Sequence, residues 1–394
     1  MAIGEARESA AQAGRRSDAE GDASAFRSSA PSLTLPKGGG AIRSIGEKFA
    51  ADPITGTGSM SVPIATSPGR SGFGPQLSLS YGCGAGNGPF GFGWSLSLPS
   101  ITRKTDKGLP QYLDAVDSDF FILSGAEDLV PVLQADGMRL HDYTTAPGFV
   151  ICLYRPRIEG LFARIERWSK IGSPGDVHWR SISKDNILTL YGYDANSRIA
   201  DPLDVSRIFS WLICESRDDK GNGIRYLYKK EDCAYQLRPG QSDPFIQVHQ
   251  RNRGLASDSR RTAQRYLQRV LYGNAKSLLD AQGLRPRYLS DLPVPPSDTD
   301  ADWLFEVRFD YGELDESDPA GQPEKPWLYR PDAFSTYRPG FEVRTCRRCE
   351  RVLMLHHIPD QLAGPGRMAQ PGYRGVVRST EFTYDDEIDP NVTT

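Results

Sequence analysis

The sequence predicts an almost all-β chain, built as an extended antiparallel sheet of hairpins and meanders. Apolar and polar residues alternate with a period of two in many short runs, which is typical of strands with one buried face. Segments rich in turn formers separate these runs, and the 394 residues include 39 glycines and 29 prolines. The 17 tyrosines and 16 phenylalanines also favour strands over helices.

The most informative stretch, residues 53–103, contains two such runs. The first has apolar residues at Leu77, Leu79 and Tyr81, and a glycine-rich loop over 82–89 follows it. We therefore predict a hairpin with one apolar face and one face of small residues. The second run places Phe92, Trp94, Leu96 and Leu98 on the apolar side and Gly91, Gly93, Ser95 and Ser97 on the other.

The small-residue side of this hairpin is a candidate interface. A face without bulky side chains lets another backbone approach closely, or lies flat against solvent or a partner. The candidate interface residues, taken from both sides of the hairpin, are Gly91, Gly93, Trp94, Ser95, Ser97, Leu77, Leu79 and Tyr81.

Further alternating runs predict strands along the rest of the chain. The run at 266–274 fits a helix or a strand by its pattern alone, and the segment 275–302 is predicted to be an irregular surface loop. The remaining predicted strands are 149–154, 161–168, 177–182, 187–193, 208–216, 224–230, 303–313, 341–358 and 376–386, with a short strand pair in 118–133.

Several long segments resemble the N-terminal domain of the SpvB/TcaC (TcB) family. This family includes the plasmid virulence protein B of Salmonella and the B component of insecticidal toxin complexes. The resemblance is carried by LPKGGGAIRSIGEKFAADPITGTGSMSVPI (35–64), by the hairpin, by SDFFILSGAEDLVPVL (118–133) and by RPDAFSTYRPGFEVRTCRRCERVLMLHHI (330–358). It is specific because these segments occur in the family's order, and it favours a strand at 266–274.

The resemblance implies one β domain over 33–386 that forms the N-terminal part of an RHS-type shell. Residues 1–32 are small, charged and polar, so we expect a disordered lead-in. Residues 387–394 are expected to be a tail, or the start of a linker to a downstream region that this sequence lacks.

The function that the resemblance implies is a non-catalytic structural part of a secreted toxin or virulence factor, which helps to enclose and deliver a cytotoxic effector. The implied partners are a TcC-like or RHS protein, or a downstream part of the same polypeptide. A TcA-like translocation channel would be reached through a propeller that this chain lacks. The alternative is an autonomous extracellular β-rich module that recognises a host glycan or protein. The six tryptophans lie mainly at strand positions, which favours packing over a sugar platform.

Enzymatic activity is not expected. SpvB-type proteins carry an ADP-ribosyltransferase domain after this region, and that activity uses a Glu-x-Glu motif. The sequence contains no Glu-x-Glu, and the nearest spacing is Glu313 to Glu316. The glycine-rich loop at 82–89 is flanked by strands and is not followed by Gly-Lys-Ser/Thr, so we interpret it as a turn without a nucleotide or other cofactor.

The sequence contains two clusters of potential metal ligands. Cys346, Cys349, His356 and His357 have ligand types that suit zinc, but one continuous strand over 341–358 would point neighbouring members to opposite faces. The acids between 114 and 119 are interpreted as a solvated turn rather than a calcium loop. We therefore expect no metal at either place.

Charge and hydropathy argue against a nucleic-acid partner and against a membrane-spanning segment. The formal net charge is −3, without the basic excess that a nucleic-acid partner requires. No apolar run reaches 18 residues, so no membrane span is expected.

The first 30 residues lack the apolar core of a signal peptide, so we expect a toxin that folds in the bacterial cytoplasm and is secreted without a cleaved leader. The six scattered cysteines are expected to be mostly reduced.

Overall fold

The all-β prediction is confirmed. A computed structural model describes residues 48–51, 58–116, 118–125, 127–243, 258–299, 301–315, 317–323, 325–361 and 368–384. Across these ranges the regular elements are strands and short 3-10 turns, without an α-helix, and no helix is long and apolar enough to cross a membrane. The predicted lead-in and tail lie outside the described residues.

The described strands are numbered in chain order. They are β1 (Lys48–Ala51), β2 (Gly58–Pro63), β3 (Ser78–Gly82), β4 (Asn87–Gly88), β5 (Gly91–Phe92), β6 (Trp94–Leu96), β7 (Ser100–Arg103), β8 (Phe121–Leu123), β9 (Glu127–Pro131), β10 (His141–Asp142), β11 (Phe149–Pro156), β12 (Arg164–Lys170), β13 (Val177–Ile182), β14 (Leu188–Tyr191), β15 (Arg198–Ala200), β16 (Ile208–Arg217), β17 (Gly223–Lys230), β18 (Arg265–Asn274), β19 (Trp303–Asp310), β20 (Phe334–Thr336), β21 (Val343–Thr345), β22 (Arg351–Ile358) and β23 (Tyr373–Glu381). The 3-10 turns are Arg70–Gly72, Asp114–Val116, Ala195–Ser197, Ser259–Arg261 and Leu289–Asp291.

Eight strands close into a hydrogen-bonded ring. The order of neighbours is β14-β13-β12-β11-β9-β8-β7-β16, and β16 also pairs with β14. Strand β16 joins the two ends because it is 10 residues long. Its first half pairs with β7, where Trp211 lies opposite Ile101, and its second half pairs with β14, where Glu215 lies opposite Leu190.

Large aromatic side chains pack together in the core cluster that these ring strands share. The ring centroids of Trp179 and Tyr154 lie 4.8 Å apart, and those of Trp179 and Phe121 lie 5.0 Å apart. Trp211 completes the group at 6.0 Å from Trp179. All four side chains are buried, so edge-to-face aromatic packing stabilises this core in addition to the burial of apolar area.

The same sheet continues beyond the ring, from β16 through β17, β18, β19, β22 and β23, each antiparallel to its neighbour. Residues 266–274, whose pattern also fits a helix, form part of β18. The described residues of the segment 275–302 are irregular apart from the turn at Leu289–Asp291. Three smaller sheets complete the described structure, and they are β1-β2-β3-β6, β20-β21 and β4-β5.

The prediction of one continuous strand over 341–358 is wrong. The segment forms two strands, β21 and β22, which pair with different partners, β20 and β19. Between them the backbone bonds to other parts of the chain: the N–H of Cys346 donates to the hydroxyl of Tyr266, and that of Cys349 donates to the carbonyl of Pro89. The strand is interrupted because these backbone donors are used outside the ladder.

Candidate functional site

The two alternating runs of the candidate hairpin pair with each other. Leu79 of β3 lies opposite Leu96 of β6, and Tyr81 lies opposite Trp94, with ring centroids 5.3 Å apart. Leu77, which immediately precedes β3, is buried together with Leu79. The apolar side of this hairpin therefore packs into the core, as its alternation predicts.

The second run is not one continuous strand, and the prediction for Phe92 is wrong. Gly91 and Gly93 have φ values of +92° and +80°, which turn the chain out of the extended conformation. The run is thereby divided into β5, which pairs with β4 inside the loop, and β6. Phe92 lies between the two glycines and is 68% exposed instead of buried.

The small-residue face is likewise divided into two parts. A Cβ added to Gly93 would lie 2.4 Å from Cε2 of Tyr81, and one added to Gly91 would lie 3.2 Å from Cε1 of Tyr384. Ser95 and Ser97, in contrast, are exposed. The glycines are therefore covered by aromatic rings of this chain, and only the serines face outward.

The tip of the hairpin is anchored on the last strands of the described chain. Phe90 is buried and packs edge-to-face against Phe309 of β19 and against Phe382, with ring centroids 6.3 Å and 6.0 Å apart. The carbonyl of Pro89 accepts a hydrogen bond of 2.8 Å from the N–H of Cys349. The tip of the candidate hairpin is thus held by packing and a hydrogen bond against the sheet that contains β19 and β22.

A buried arginine adds polar contacts to this anchor. Arg330 donates to the carbonyl of Gly88 at 2.8 Å and to Oδ1 of Asn87 at 2.9 Å, and it forms an ion pair of 2.7 Å with Asp332. Burial alone would raise the pKa of Asp332, but Arg330 and the side-chain amide of Asn87 hold that pKa below its ordinary value. The sequence pattern gave no signal for this group because its members are far apart in the chain.

The sheet ends in an open edge at β23. On one side β23 pairs with β22, and among the residues that the structure describes no strand pairs with its other side. A register shift leaves Val377 without a partner residue on β22, and its side chain is 44% exposed. An edge strand of this kind presents free N–H and C=O groups to a further strand.

The candidate zinc ligands serve other contacts. Nε2 of His357 lies 3.0 Å from Oε2 of the buried Glu306, whereas Nε2 of His356 lies 2.7 Å from the hydroxyl of Ser67. Cys349 is buried, and its Sγ lies 3.4 Å from the carbonyl oxygen of Arg351. Within the described ranges, no group of three His, Cys, Asp or Glu side chains is arranged to hold a metal ion.

The interpretation of the acidic turn as solvated is wrong for Asp119. Asp119 is buried and accepts hydrogen bonds from the N–H groups of Gln111 and Tyr112. Arg103, which is also buried, lies 2.7 Å from Asp119 and 2.6 Å from Asp114. The carboxylates are drawn inward because they neutralise this buried guanidinium. Asp117 lies outside the described residues.

Five of the six tryptophans are buried, and these are Trp168, Trp179, Trp211, Trp303 and Trp327. The first four lie at predicted strand positions, whereas Trp327 lies outside the strands. The sixth, Trp94, is half-buried against Tyr81. All six cysteines are free thiols, and burial raises the pKa of Cys214 and that of Cys346 to about 12.

Comparison with known proteins gives one consistent family. The family described as Salmonella virulence plasmid 65kDa B protein matches residues 52–358. The mono(ADP-ribosyl)transferase SpvB of Salmonella typhimurium is 36% identical over 339 residues, which are 83% of this chain and 51% of that protein. SpvB of Salmonella dublin gives the same identity and coverage. The chain thus spans about half the length of the curated relatives that it matches.

Solved structures agree with this result. The crystal structure of TcdB2-TccC3 superposes with a TM-score of 0.70 at 33% identity, covering 90% of this chain and 16% of that chain. The N-terminal domain of the effector protein SpvB from Salmonella typhimurium strain LT2 superposes with a TM-score of 0.61 at 32% identity, covering 82% of this chain and 100% of that chain. A structure of the Photorhabdus luminescens Tc holotoxin pore has a TM-score of 0.68 at 33% identity, covering 90% of this chain and 15% of that chain.

Proposed function

Because the chain belongs to the Salmonella virulence plasmid 65kDa B protein family, we propose that it is a non-catalytic structural part of a secreted toxin or virulence factor. In this role it helps to enclose and deliver a cytotoxic effector. The observation that carries the proposal is the open edge at β23, which is paired with β22 on one side only in the described structure. A sheet that ends in such an edge can be extended by strands from another chain or segment.

The proposal assigns no catalytic step to this chain. Its similarity covers the whole of the solved N-terminal domain of SpvB but only about half of the full-length transferases. The sequence has no Glu-x-Glu motif. The transferase activity of those relatives is therefore not carried over.

The partner we propose for the edge is a TcC-like or RHS protein, or a downstream part of the same polypeptide, which adds a strand beside β23. Docking to a TcA-like translocation channel would then use a propeller outside this chain. A toxin of this kind is secreted after it folds in the bacterial cytoplasm. The alternative of a glycan-binding module has little support, since five of the six tryptophans are buried and cannot stack on a sugar.

The experiment is co-expression of the full chain with the product of the adjacent coding region, followed by size-exclusion chromatography. The unaltered chain should form a complex. Val377→Lys places a charge on the edge strand and should weaken the complex by at least about tenfold, since charged side chains at an edge oppose further pairing. Val205→Lys is the matched control because Val205 is 69% exposed and lies outside β23.

Two results would count against the proposal. The first is a stable monodisperse monomer that forms no complex with that product. The second is a complex that Val377→Lys and Val205→Lys leave equally intact.

A further inference from the structure

The outer face of the ring contains an arginine-lined cavity. On this face, the outward side chains of β12, β13 and β14 are partly covered by two segments from elsewhere in the chain. The first segment runs from Thr145 to Phe149, and Phe149 packs on Trp168 with ring centroids 5.5 Å apart. The second runs from Arg285 to Tyr288, and the ring of Tyr288 lies 6.2 Å from that of Trp168. An open cavity of about 360 Å³ lies beside these contacts. We call it the Arg180 cavity.

Positive charge dominates the lining of the Arg180 cavity. It contains the four arginines Arg164, Arg180, Arg285 and Arg287, and its single acid is Glu166. This excess is local, because the whole chain has a formal net charge of −3. Four guanidinium groups around one small volume repel each other unless an anion lies among them.

Arg180 is the central unpaired charge of this group. Its Cζ lies 4.6 Å from the ring centroid of Trp168, and the Cζ of Arg287 lies 5.5 Å from the same centroid. The buried Nε of Arg180 has no hydrogen-bond partner, and the guanidinium forms no ion pair with any residue that the structure describes. Burial lowers the pKa of Arg180, and nearby Arg217 and Arg287 lower it further, although Glu166 opposes the shift.

The nearby acids are bound to other side chains. Glu166 accepts a hydrogen bond of 2.8 Å from Nε1 of Trp168 and also pairs with Arg164. Glu215 lies 2.6 Å from Arg217. Glu166 lies opposite Arg180 in the pairing of β12 with β13, but neither carboxylate forms an ion pair with Arg180.

Arg285 and Arg287 are held by neutral groups. Nη2 of Arg287 donates to the carbonyl of Thr145 at 2.9 Å, and Nη2 of Arg285 donates to Oδ1 of Asn186 at 2.9 Å. Within the described ranges, neither side chain forms an ion pair. These contacts orient the two guanidinium groups. Burial and Arg217 lower the pKa of Arg285, although the nearby Asp219 and Asp218 act to raise it.

We propose that the Arg180 cavity binds a compact anion that carries phosphate or sulfate groups, with Arg180, Arg285 and Arg287 as its charge partners. The planar fork of a guanidinium matches the oxygen spacing of a phosphoryl group and binds it bidentately. Three guanidinium groups that form no ion pair with the described residues favour an anion of two or more charges over a monocarboxylate. The cavity volume lies at the lower end of the range for small-ligand pockets, which suits a compact ligand. The site is independent of the proposed structural role.

The test is isothermal titration calorimetry of the full chain with inorganic pyrophosphate at low ionic strength. We expect saturable one-to-one binding, weakened at least about tenfold by Arg180→Gln, a loss of about 1.4 kcal/mol or more. Arg287→Gln is the second variant, since Arg287 is exposed and its replacement does not disturb the core. Arg378→Gln, on the exposed face of β23, is the control for nonspecific attraction and should leave the affinity unchanged.

A second arm of the experiment distinguishes the source of the phosphate group. Sedimentation with vesicles that contain phosphatidic acid measures binding of a lipid headgroup by the same variants. If only pyrophosphate binds, and the arginine variants weaken that binding, the ligand of the cavity is a soluble one. If the vesicles bind, and the same variants weaken that binding, the ligand is a lipid headgroup. If neither probe binds, or if Arg180→Gln and Arg287→Gln bind as tightly as Arg378→Gln, the proposal is overturned.

Discussion

Phe90, at the tip of the N-terminal hairpin, packs edge-to-face against Phe309 of β19, with ring centroids 6.3 Å apart. The hydrogen bond from Cys349 to the carbonyl of Pro89 lies beside this contact. These contacts join an early hairpin to a sheet whose strands come much later in the chain. The hairpin and the late sheet are therefore expected to lose their structure together, since neither buries its contact surface alone.

The first prediction concerns Phe90. Replacement of Phe90 by alanine should lower the free energy of unfolding by about 3–5 kcal/mol, because a buried aromatic ring is lost and a cavity remains between Phe309 and Phe382. Equilibrium unfolding in urea measures the loss.

Phe92 provides the matched control for this experiment. It lies two residues away on the same hairpin and is 68% exposed. Phe92→Ala should change the free energy of unfolding by less than about 0.5 kcal/mol. Similar losses for Phe90→Ala and Phe92→Ala would contradict the anchoring role of Phe90.

The second prediction concerns Gly93. An alanine at this position would place its Cβ 2.4 Å from Cε2 of Tyr81, in a backbone conformation with φ of +80°. Gly93→Ala should therefore be destabilising through both the positive φ and the clash, by about 3 kcal/mol or more in thermal or urea unfolding. Gly93→Val, with a larger side chain, should cost more still.

Gly86 separates these two contributions. Its φ of +73° is similar, but an added Cβ would meet no atom within 4 Å. Gly86→Ala should thus show the conformational cost alone, about 1–2 kcal/mol. Equal losses in the free energy of unfolding for Gly93→Ala and Gly86→Ala would contradict close packing of Tyr81 over Gly93.

Local sequence patterns were sufficient to predict the strands, but they could not predict that eight of these strands close into a ring. Alternation reports which side of a strand is buried, and it correctly placed Leu79 and Trp211. Closure depends on the pairing of β16 with β7 and β14 along different halves of one strand. Nothing in the periodicity of a strand encodes which distant strand will lie beside it.

The candidate site was predicted only in part, for a related reason. The sequence alternation around Gly91 and Gly93 is regular, but their positive φ values break the strand and expose Phe92. Glycine adopts such φ values without cost, so its presence is compatible with either conformation. The inward turn of Asp119 likewise depends on Arg103, and no local pattern indicates that these two residues lie side by side.

The third prediction concerns the buried ion pair of Glu231 with Arg347. Nε of Arg347 lies 2.9 Å from Oε2 of Glu231, both side chains are 1% exposed, and Arg347 stacks on Trp327. Glu231→Gln should lower the free energy of unfolding by about 3–5 kcal/mol, because it removes the buried counter-charge of Arg347 and leaves only the half-exposed Asp232, 3.8 Å away. Denaturant unfolding at neutral pH measures the effect.

An exposed pair in the same chain gives the comparison. Nζ of Lys170 lies 3.6 Å from Asp176, and the two side chains are 51% and 40% exposed. Lys170→Gln should cost between zero and about 1 kcal/mol. Losses of similar size at the two pairs would show that burial does not set the value of the Glu231–Arg347 interaction.

The fourth prediction is a loss of stability on mild acidification that depends on His178. This side chain is 1% exposed, and its Nε2 lies 3.1 Å from the hydroxyl of Tyr288. Burial lowers the pKa of His178 to about 3, with further lowering by Arg198 and Arg180. Below the ordinary pKa of 6.5, the unfolded chain therefore binds a proton that the folded chain does not bind.

It follows that the contribution of His178 to the free energy of unfolding is complete above pH 6.5 and declines as the pH falls toward the lowered pKa. Between pH 6.5 and pH 5 the decline should be about 1.5 kcal/mol, in a window that lies above the titration of ordinary carboxylates. Urea unfolding at both pH values should show a loss that is larger in the unaltered chain than in His178→Gln by about this amount, because the glutamine amide carries no titrating proton. Both proteins keep the contribution of His356, whose pKa burial also lowers. Equal pH dependence in the two proteins would mean that His178 accepts a proton without leaving its buried site, because only a difference in proton uptake between the folded and unfolded states makes stability depend on pH.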